Sequence, residues 1–303
     1  MRIEFCIGSL CLATLACSGG ENAGSNWGGS ATSKTGVNAT PGGATPPPGG
    51  ATGFGNIGAS DGGKAAAGLV TEAGVPTMLT VTVRDFKFWD MTDAGVTNPD
   101  FQNAIGAEKG IVAAQLGADG KPVYAANPAT SMTTHGQMWF DMWYHDTPGF
   151  NITQTIPLPL SVTGNGTYGY DSRVSGVRLG VGNAPNTLEW FPIDDGTAYQ
   201  TMYGNQGQMH NYSFTTELHT VFVYNGGETF SFSGDDDTFI FINKTLAIDL
   251  GGVHPRTVGT VALDTLGLTK GTQYPLDVFN AERRMIESNF SFTTTVKIQP
   301  AAQ

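Results

Sequence analysis

The chain has 303 residues, a formal net charge of −11, and only 14% charged residues. That balance excludes nucleic acid as a partner, since binding it needs clustered Lys and Arg and no such run occurs. It fits a cation or a neutral partner such as a glycan. Cys6, Cys11 and Cys17 all sit near the N-terminus, so a chain trimmed there has no disulfide to support its fold. The length allows one large or two small domains. We expect one, with the 17 Phe supplying its core.

Residues 1–16 open Met-Arg and continue into a short apolar stretch over 7–16. The stretch is too short to span a bilayer and suits a signal peptide, so the protein is expected to be exported. Thr14-Leu15-Ala16-Cys17 resembles a bacterial lipobox. That resemblance implies cleavage before Cys17 and lipidation of its thiol, hence an outer-membrane lipoprotein or a cell-surface protein tethered to the membrane. Thr14, where an aliphatic residue is usual, and Glu4 depart from the pattern. Ordinary cleavage without a lipid is the alternative.

Residues 17–75 are a low-complexity run of Gly, Ala, Thr, Ser and Pro, as in Pro46-Pro47-Pro48-Gly49-Gly50. Such a linker buries too little surface to offset its ordering entropy, so a disordered stalk is expected. As a coil it would reach about 40 Å.

From residue 76 to 303 the pattern is that of strands. Leu79, Val81 and Val83 alternate with Thr80, Thr82 and Arg84, and similar alternation recurs over 220–224, 230–233 and 290–298. Phe239-Ile240-Phe241-Ile242 is apolar on both faces, as in a central strand covered twice. Asp119-Gly120 and Gly226-Gly227 read as hairpin turns. Met138 to Tyr144 reads as either a short helix or an aromatic-rich strand. Together these give an all-β, antiparallel sandwich with long loops.

The sharpest local signal is Ser233-Gly234-Asp235-Asp236-Asp237-Thr238. Three adjacent carboxylates repel one another, and a hard cation with oxygen ligands, above all Ca²⁺, relieves that repulsion. Neighbouring side chains of an extended chain point to opposite faces. A cis peptide between two of the Asp residues would bring both carboxylates to one side. The alternative is a solvated acidic turn.

Around this loop the chain becomes recognisable. Gly226-Gly227-Glu228-Thr229-Phe230-Ser231-Phe232-Ser233-Gly234-Asp235-Asp236-Asp237 leads into Phe239-Ile240-Phe241-Ile242-Asn243. Leu246-Ala247-Ile248-Asp249-Leu250-Gly251-Gly252-Val253-His254 follows, then Tyr274-Pro275-Leu276-Asp277 and Ala281-Glu282-Arg283. With Val83-Arg84-Asp85-Phe86 and Tyr144-His145-Asp146-Thr147-Pro148-Gly149 upstream, this resembles the fibro-slime domain over nearly everything after residue 76. Fibro-slime domains are related to the PA14 superfamily, which implies a PA14-like β-sandwich. In PA14 adhesins an Asp pair joined by a cis peptide holds Ca²⁺ that ligates sugar hydroxyls. The matching positions here are Asp235 and Asp236. Two positions depart from the pattern: Asn243-Lys244 stands where Asn-Gly is usual, which demands φ > 0 at Lys244. A third acid, Asp237, stands where Gly often follows the pair.

Calcium takes six to eight oxygens, so two Asp residues do not complete a site. We assign Asn280 and Glu282 from the late loop as further metal ligands. The alternative for Glu282 is a surface pair with Arg283 or Arg284, worth little. Asp237, Asp249, His254 and Arg283 are assigned to the ligand side of the site. For Asp249 and His254 the alternative is a glycine-rich turn with His254 capping backbone. Trp139, Trp143 and Tyr144 fit core better than sugar stacking, and Asp194-Asp195-Gly196 fits a solvated turn. His135, His145, His210 and His219 lack zinc-ligand spacing. No nucleophile elbow, P-loop or Rossmann fingerprint occurs, and no carboxylate pair can be placed across a cleft, so we expect no enzyme and no catalytic residues.

The resemblance leads to a Ca²⁺-dependent carbohydrate-binding or adhesion module, its partner a glycan or extracellular polysaccharide. A non-catalytic matrix or coat protein adhering through protein contacts is the alternative from another class. A third reading is an accessory module of a polysaccharide-degrading system.

Overall fold

The computed structural model describes residues 77–87, 97–101, 105–164, 166–175, 189–194, 199, 202–205 and 208–301. The expected signal segment 1–16, Cys17, the linker 17–75 and Asp195-Gly196 lie outside these residues.

In chain order the elements are β1 (Thr77–Phe86), β2 (Gly106–Ala107), α1 (Gln137–Tyr144), β3 (Asn151–Gly164), β4 (Thr167–Asp171), α2 (Ser172–Ser175), β5 (Met202–Asn205), β6 (Gln208–Asn211), β7 (Phe214–Val223), β8 (Thr229–Gly234), β9 (Asp237–Ile242), β10 (Thr245–Leu250), β11 (Gly252–Val253), β12 (Thr257–Ala262), β13 (Gln273–Glu282), β14 (Phe290–Thr294) and β15 (Gln299–Pro300). A 3-10 turn at Leu263–Leu266 follows β12. The strand pairings among the described residues are antiparallel. No helix among them is long and apolar enough to cross a membrane.

One hydrogen-bonded path runs β10-β9-β13-β7-β1-β3-β4-β14-β8-β12. The path folds over at β3, whose residues 151–160 pair with β1 and whose end, from Ser161, pairs with β4. Pro157 and Pro159 sit where β3 pairs on one side only, the edge position that tolerates a missing N–H. The two halves enclose one core. Leu79, Val81, Val83, Leu218, Ile240, Ile242 and Val278 come from one sheet, and Tyr170, Phe230, Phe232, Phe290 and Phe292 from the other. The ends of the path, β10 and β12, also touch.

The first sheet is covered on its outer face as well. Phe239, Phe241, Phe279 and Ala281 face Phe101, Ile111, Val112, Phe140, Trp143 and Tyr144 in a second apolar cluster. Strand β9 therefore carries Phe239 and Phe241 into one core and Ile240 and Ile242 into the other, as its doubly apolar run requires. Each fully buried aromatic or branched side chain is worth about 1.5–3 kcal/mol of burial. Residues 138–144 are helical, with Trp143 and Tyr144 in this outer core and Trp139 half-buried against Phe150.

The turns agree with the sequence in two places and differ in a third. Asn243 and Lys244 both have positive φ, 52° and 63°, and join β9 to β10. Asp119-Gly120 closes a turn in which Gly117 N donates to Lys121 O. Gly226-Gly227 is not a hairpin turn: it carries the chain from β7 in the first sheet to β8 in the second. The alternation over 290–298 is also shorter as a strand, since β14 ends at Thr294.

Candidate functional site

The β8–β9 connection is two residues, Asp235 and Asp236, and the peptide between them is cis. The loop is packed tightly enough that a side chain at Gly234 would meet the Asn289 carbonyl at 2.6 Å. All three carboxylates are buried, and each is held by named donors. Asp235 accepts from Asn289 N at 2.5 Å and from Asn289 Nδ2 at 2.9 Å. Asp236 accepts from His254 N and Arg283 N, both at 3.2 Å. Asn280 donates from Nδ2 to Asp235 O, Asp237 O and Thr238 Oγ1, tying the loop to β13. These bonds leave Asn280 Oδ1 uncommitted.

Glu282, at the end of β13, completes the cluster. It is 1% exposed, its Oε1 accepts from Arg284 N at 3.3 Å, and its Oε2 is buried without a hydrogen-bond partner. Burial pushes the Asp235 carboxyl up to about 6, with the charge of Glu287 adding to it and the Asn289 bonds opposing it. Asp236 is pushed well up by burial and by the charges of Asp237 and Asp235, against the pull of Arg283. Glu282 is pushed well up by burial and then by Asp236 and Asp235. Charge on Asp235 thus disfavours charge on Asp236, and charge on either disfavours charge on Glu282.

Asp237 and Arg283 have a different place from the one assigned to them. Asp237 is fully buried, its Oδ1 accepts from Gly252 N at 2.6 Å, and its Oδ2 accepts from Arg283 Nε at 2.7 Å, with Nη2 in ion-pair contact at 2.6 Å. The Arg283 guanidinium also donates from Nη1 to Asp100 O and Thr133 O, each at 2.7 Å, and lies 4.5 Å from the Trp143 ring centroid. Both side chains help to hold the outer layer to the loop. The surface pairing of Glu282 with Arg283 does not form, because the guanidinium belongs to Asp237.

Asp249 accepts from Gly110 N and Gly251 N, and His254 places its ring nitrogens against Pro255 O and Leu250 O. Both therefore brace the Gly251-Gly252 turn. Gly252 has φ 100°, and a Cβ there would strike Gly106 O, so only glycine suits the place. Their side chains order backbone, and His254 reaches the site through its main-chain N–H. Asp194 accepts from His210 and from Asn211 N.

Three contributors were not legible beforehand. Asn289 clamps both oxygens of Asp235. Trp190 and Ser288 exchange bonds (Trp190 N to Ser288 O and Ser288 Oγ to Trp190 O, both 2.7 Å), which straps residues 189–194 to the late loop. Glu287 adds negative charge that raises Asp235 and Glu189, and Asp235 raises Glu189 in turn. All three are contacts distant in sequence, and no local spacing signals them.

Among the described residues no group of three or more His, Cys, Asp or Glu side chains is gathered into a metal-holding set. A cation here needs amide or main-chain oxygens as well. The residues that could hold one are Asp235, Asp236, Glu282 and Asn280 through Oδ1. Taken singly rather than as a gathered set, their chemistry suits a hard cation on two grounds. The donors are all oxygen. Each Asp oxygen keeps a lone pair beyond its one N–H bond, while Glu282 Oε2 is buried and unpartnered.

Residues 182–299, which include this whole cluster, match the family model of the PA14 domain. Among curated proteins the chain is similar to three from Dictyostelium discoideum. Protein psiR is 38% identical over 203 residues, 66% of this chain and 20% of that protein. Protein psiQ is 37% identical over 213 residues, 66% and 20%. Protein psiD is 38% identical over 205 residues, 65% and 38%. The chain thus spans between a fifth and two fifths of these relatives. Among solved structures, the PA14 domain of the MpAFP antifreeze protein overlaps 32% of this chain and 56% of that one, at 10% identity and a TM-score of 0.25. That overlap carries no argument. Residues 182–299 are thus similar to the PA14 domain, and the buried carboxylates lie within that stretch.

Proposed function

We propose that the domain is a non-catalytic, Ca²⁺-dependent carbohydrate-binding or adhesion module displayed at the cell surface. One observation carries the reading: Asp235, Asp236 and Glu282 are buried together, charge on Asp235 disfavours charge on the other two, and the Arg283 guanidinium, whose charge pulls on Asp236, is hydrogen-bonded to Asp237. A cation from solution removes that repulsion. Asp235, Asp236, Glu282 and Asn280 Oδ1 would hold it. Bound calcium would supply further coordination positions, which neighbouring sugar hydroxyls can fill. Asn289, His254 and Arg283 orient the two Asp carboxylates through N–H groups and so fix the direction those positions face.

The match of residues 182–299 to the PA14 domain supports the reading, as does a surface polar through hydroxyls and amides more than through charge. The affinity for one sugar unit should be weak, since few atoms are buried and hydroxyls are well hydrated. Display in many copies would compensate by raising effective concentration. An export signal, lipidation at Cys17 and the 17–75 linker would provide that display. The test is calorimetry with Ca²⁺ followed by a glycan array. Uptake of one Ca²⁺, with array binding lost in EDTA and in Asp236→Ala, is the expected result. A folded domain that takes up no Ca²⁺, or an array signal indifferent to both treatments, overturns it.

A further inference from the structure

Arg283 is a cation beside a site proposed to bind a cation, and counting charges alone would make it an obstacle. Its side chain is fully buried and is committed at three points: Asp237 on the site loop, and the carbonyls of Asp100 and Thr133 in the outer layer. The ring of Trp143 lies against its guanidinium. Asp100 is itself anchored, accepting from Trp143 Nε1 at 3.1 Å and from His135 N at 2.7 Å. The main-chain N–H of the same arginine donates to Asp236 Oδ2, and Glu282 is the residue before it. A single side chain therefore fixes the stretch of backbone that aims two of the candidate ligands, using contacts that lie outside the site.

We propose that Arg283 is a positioning residue for the cation site, holding Glu282 and the Asp236-directed N–H in place by clamping β13 to Asp237 and to the layer built on Asp100, Thr133 and Trp143. This rests on the calcium reading of the same cluster. It also gives that layer a function: cation binding and docking of the 97–150 segment support each other, because both depend on one guanidinium. Lysine cannot replace it, since a point charge on a flexible stem lacks the planar fork needed to reach a carboxylate and two carbonyls together.

The experiment measures Ca²⁺ affinity by calorimetry and thermal stability by circular dichroism for wild type, Arg283→Lys, Arg283→Met and Asp237→Asn/Arg283→Met. Charge counting alone makes Arg283→Met bind Ca²⁺ more tightly, because a nearby positive charge is gone. Positioning makes it bind at least tenfold more weakly, with Arg283→Lys weakened about fivefold. The double variant no longer leaves Asp237 unpaired, so it recovers melting temperature over Arg283→Met while its Ca²⁺ affinity stays low. A purely structural role would move the two readouts together. Wild-type or tighter Ca²⁺ affinity in folded Arg283→Met or in the double variant overturns the positioning role alone. Absence of Ca²⁺ uptake by the wild type overturns the reading of the site and this role with it.

Discussion

Two buried groups of charge share strand β13, and they are balanced in opposite ways. One is centred on Glu217 of β7, which is 2% exposed. Its Oε2 accepts from Arg84 Nη1 at 2.7 Å, and its Oε1 accepts from Lys121 Nζ and meets His219 Nε2 at 2.5 Å. His219 Nδ1 in turn meets Asp277 of β13 at 2.7 Å, and Arg84 Nε donates to Asp146 at 2.9 Å. Every carboxylate there has a cation from the same chain. The other group is Asp235, Asp236 and Glu282, where burial is as deep and the Arg283 guanidinium is paired with Asp237. Burying a charge is costly unless it is paired, and the price differs sharply between a compensated and an uncompensated set. The first group is complete as folded, whereas in the proposed reading the second is completed by a cation from outside.

The largest effects should come from breaking the complete group. Glu217→Ala leaves Arg84 and the His219 ring without their buried partner, and it should destabilise the domain by about 3–5 kcal/mol in denaturant unfolding. The same kind of change in the other group should have the opposite sign. In Glu282→Gln a charge disfavoured by burial and by Asp236 and Asp235 is gone. The Ca²⁺-free domain should then gain about 1–2 kcal/mol. In the wild type, saturation with Ca²⁺ at a hundred times its dissociation constant should add about 2.7 kcal/mol. Most of that increment should vanish in Glu282→Gln. A destabilised Ca²⁺-free Glu282→Gln would erase the contrast between the groups.

A smaller effect comes from titrating the balanced group in the presence of a chelator. Burial works against charge on Glu217, but the bonds from His219 and Lys121 and the charge of Arg84 outweigh it and hold the carboxyl at about 2, below its ordinary 4.5. Burial likewise opposes charge on His219, yet Asp277 and Glu217 raise it from 6.5 to about 9. A lowered carboxylate stabilises above its unfolded value and loses that contribution as pH falls toward 2. A raised histidine stabilises below 6.5 and loses its contribution as pH rises through 9. Both contributions are therefore present between pH 4.5 and 6.5. The melting-temperature loss caused by His219→Gln should be greatest near pH 6 and small at pH 10. A loss that is constant across that range would mean the ring acts by packing, as its edge contact with Phe279 at 5.6 Å allows.

The two groups also differ in how much of them the sequence discloses. The acidic one is signalled by three adjacent Asp residues between strand-like runs, two of them its members, and by Glu282 in a recognisable late motif. The balanced one joins residues 84, 217, 219 and 277, which β pairing of β1, β7 and β13 brings together, and Lys121 from the 117–121 turn. The strands follow the same division. Alternation marks β1, β7, β8 and β14, because each buries a face against the inter-sheet core, while a continuous apolar run marks β9. Strand β3 is hidden by Pro157 and Pro159, which only its edge position excuses. The role of Arg283 was also out of reach, since its partners at 100 and 133 belong to a layer that sequence spacing does not dock onto β13.

The smallest effect offers a yardstick for the comparison, because it should be indifferent to both groups. Lys244 holds φ 63° in the exposed turn between β9 and β10, where a Cβ crowds the backbone. Lys244→Gly removes that crowding and keeps the main-chain bond from Leu116 N to residue 244 O. The steric relief is partly offset by the greater freedom of glycine in the unfolded chain, leaving a gain of about 0.5–1 kcal/mol. The gain should be the same at pH 6 and pH 9, with Ca²⁺ or with chelator, because the turn holds no titrating partner and no candidate ligand. Unequal gains with Ca²⁺ and with chelator would show that β9 transmits the state of Asp235 and Asp236 along its length. The acidic cluster and the rest of the first sheet would then have to be treated as one coupled unit.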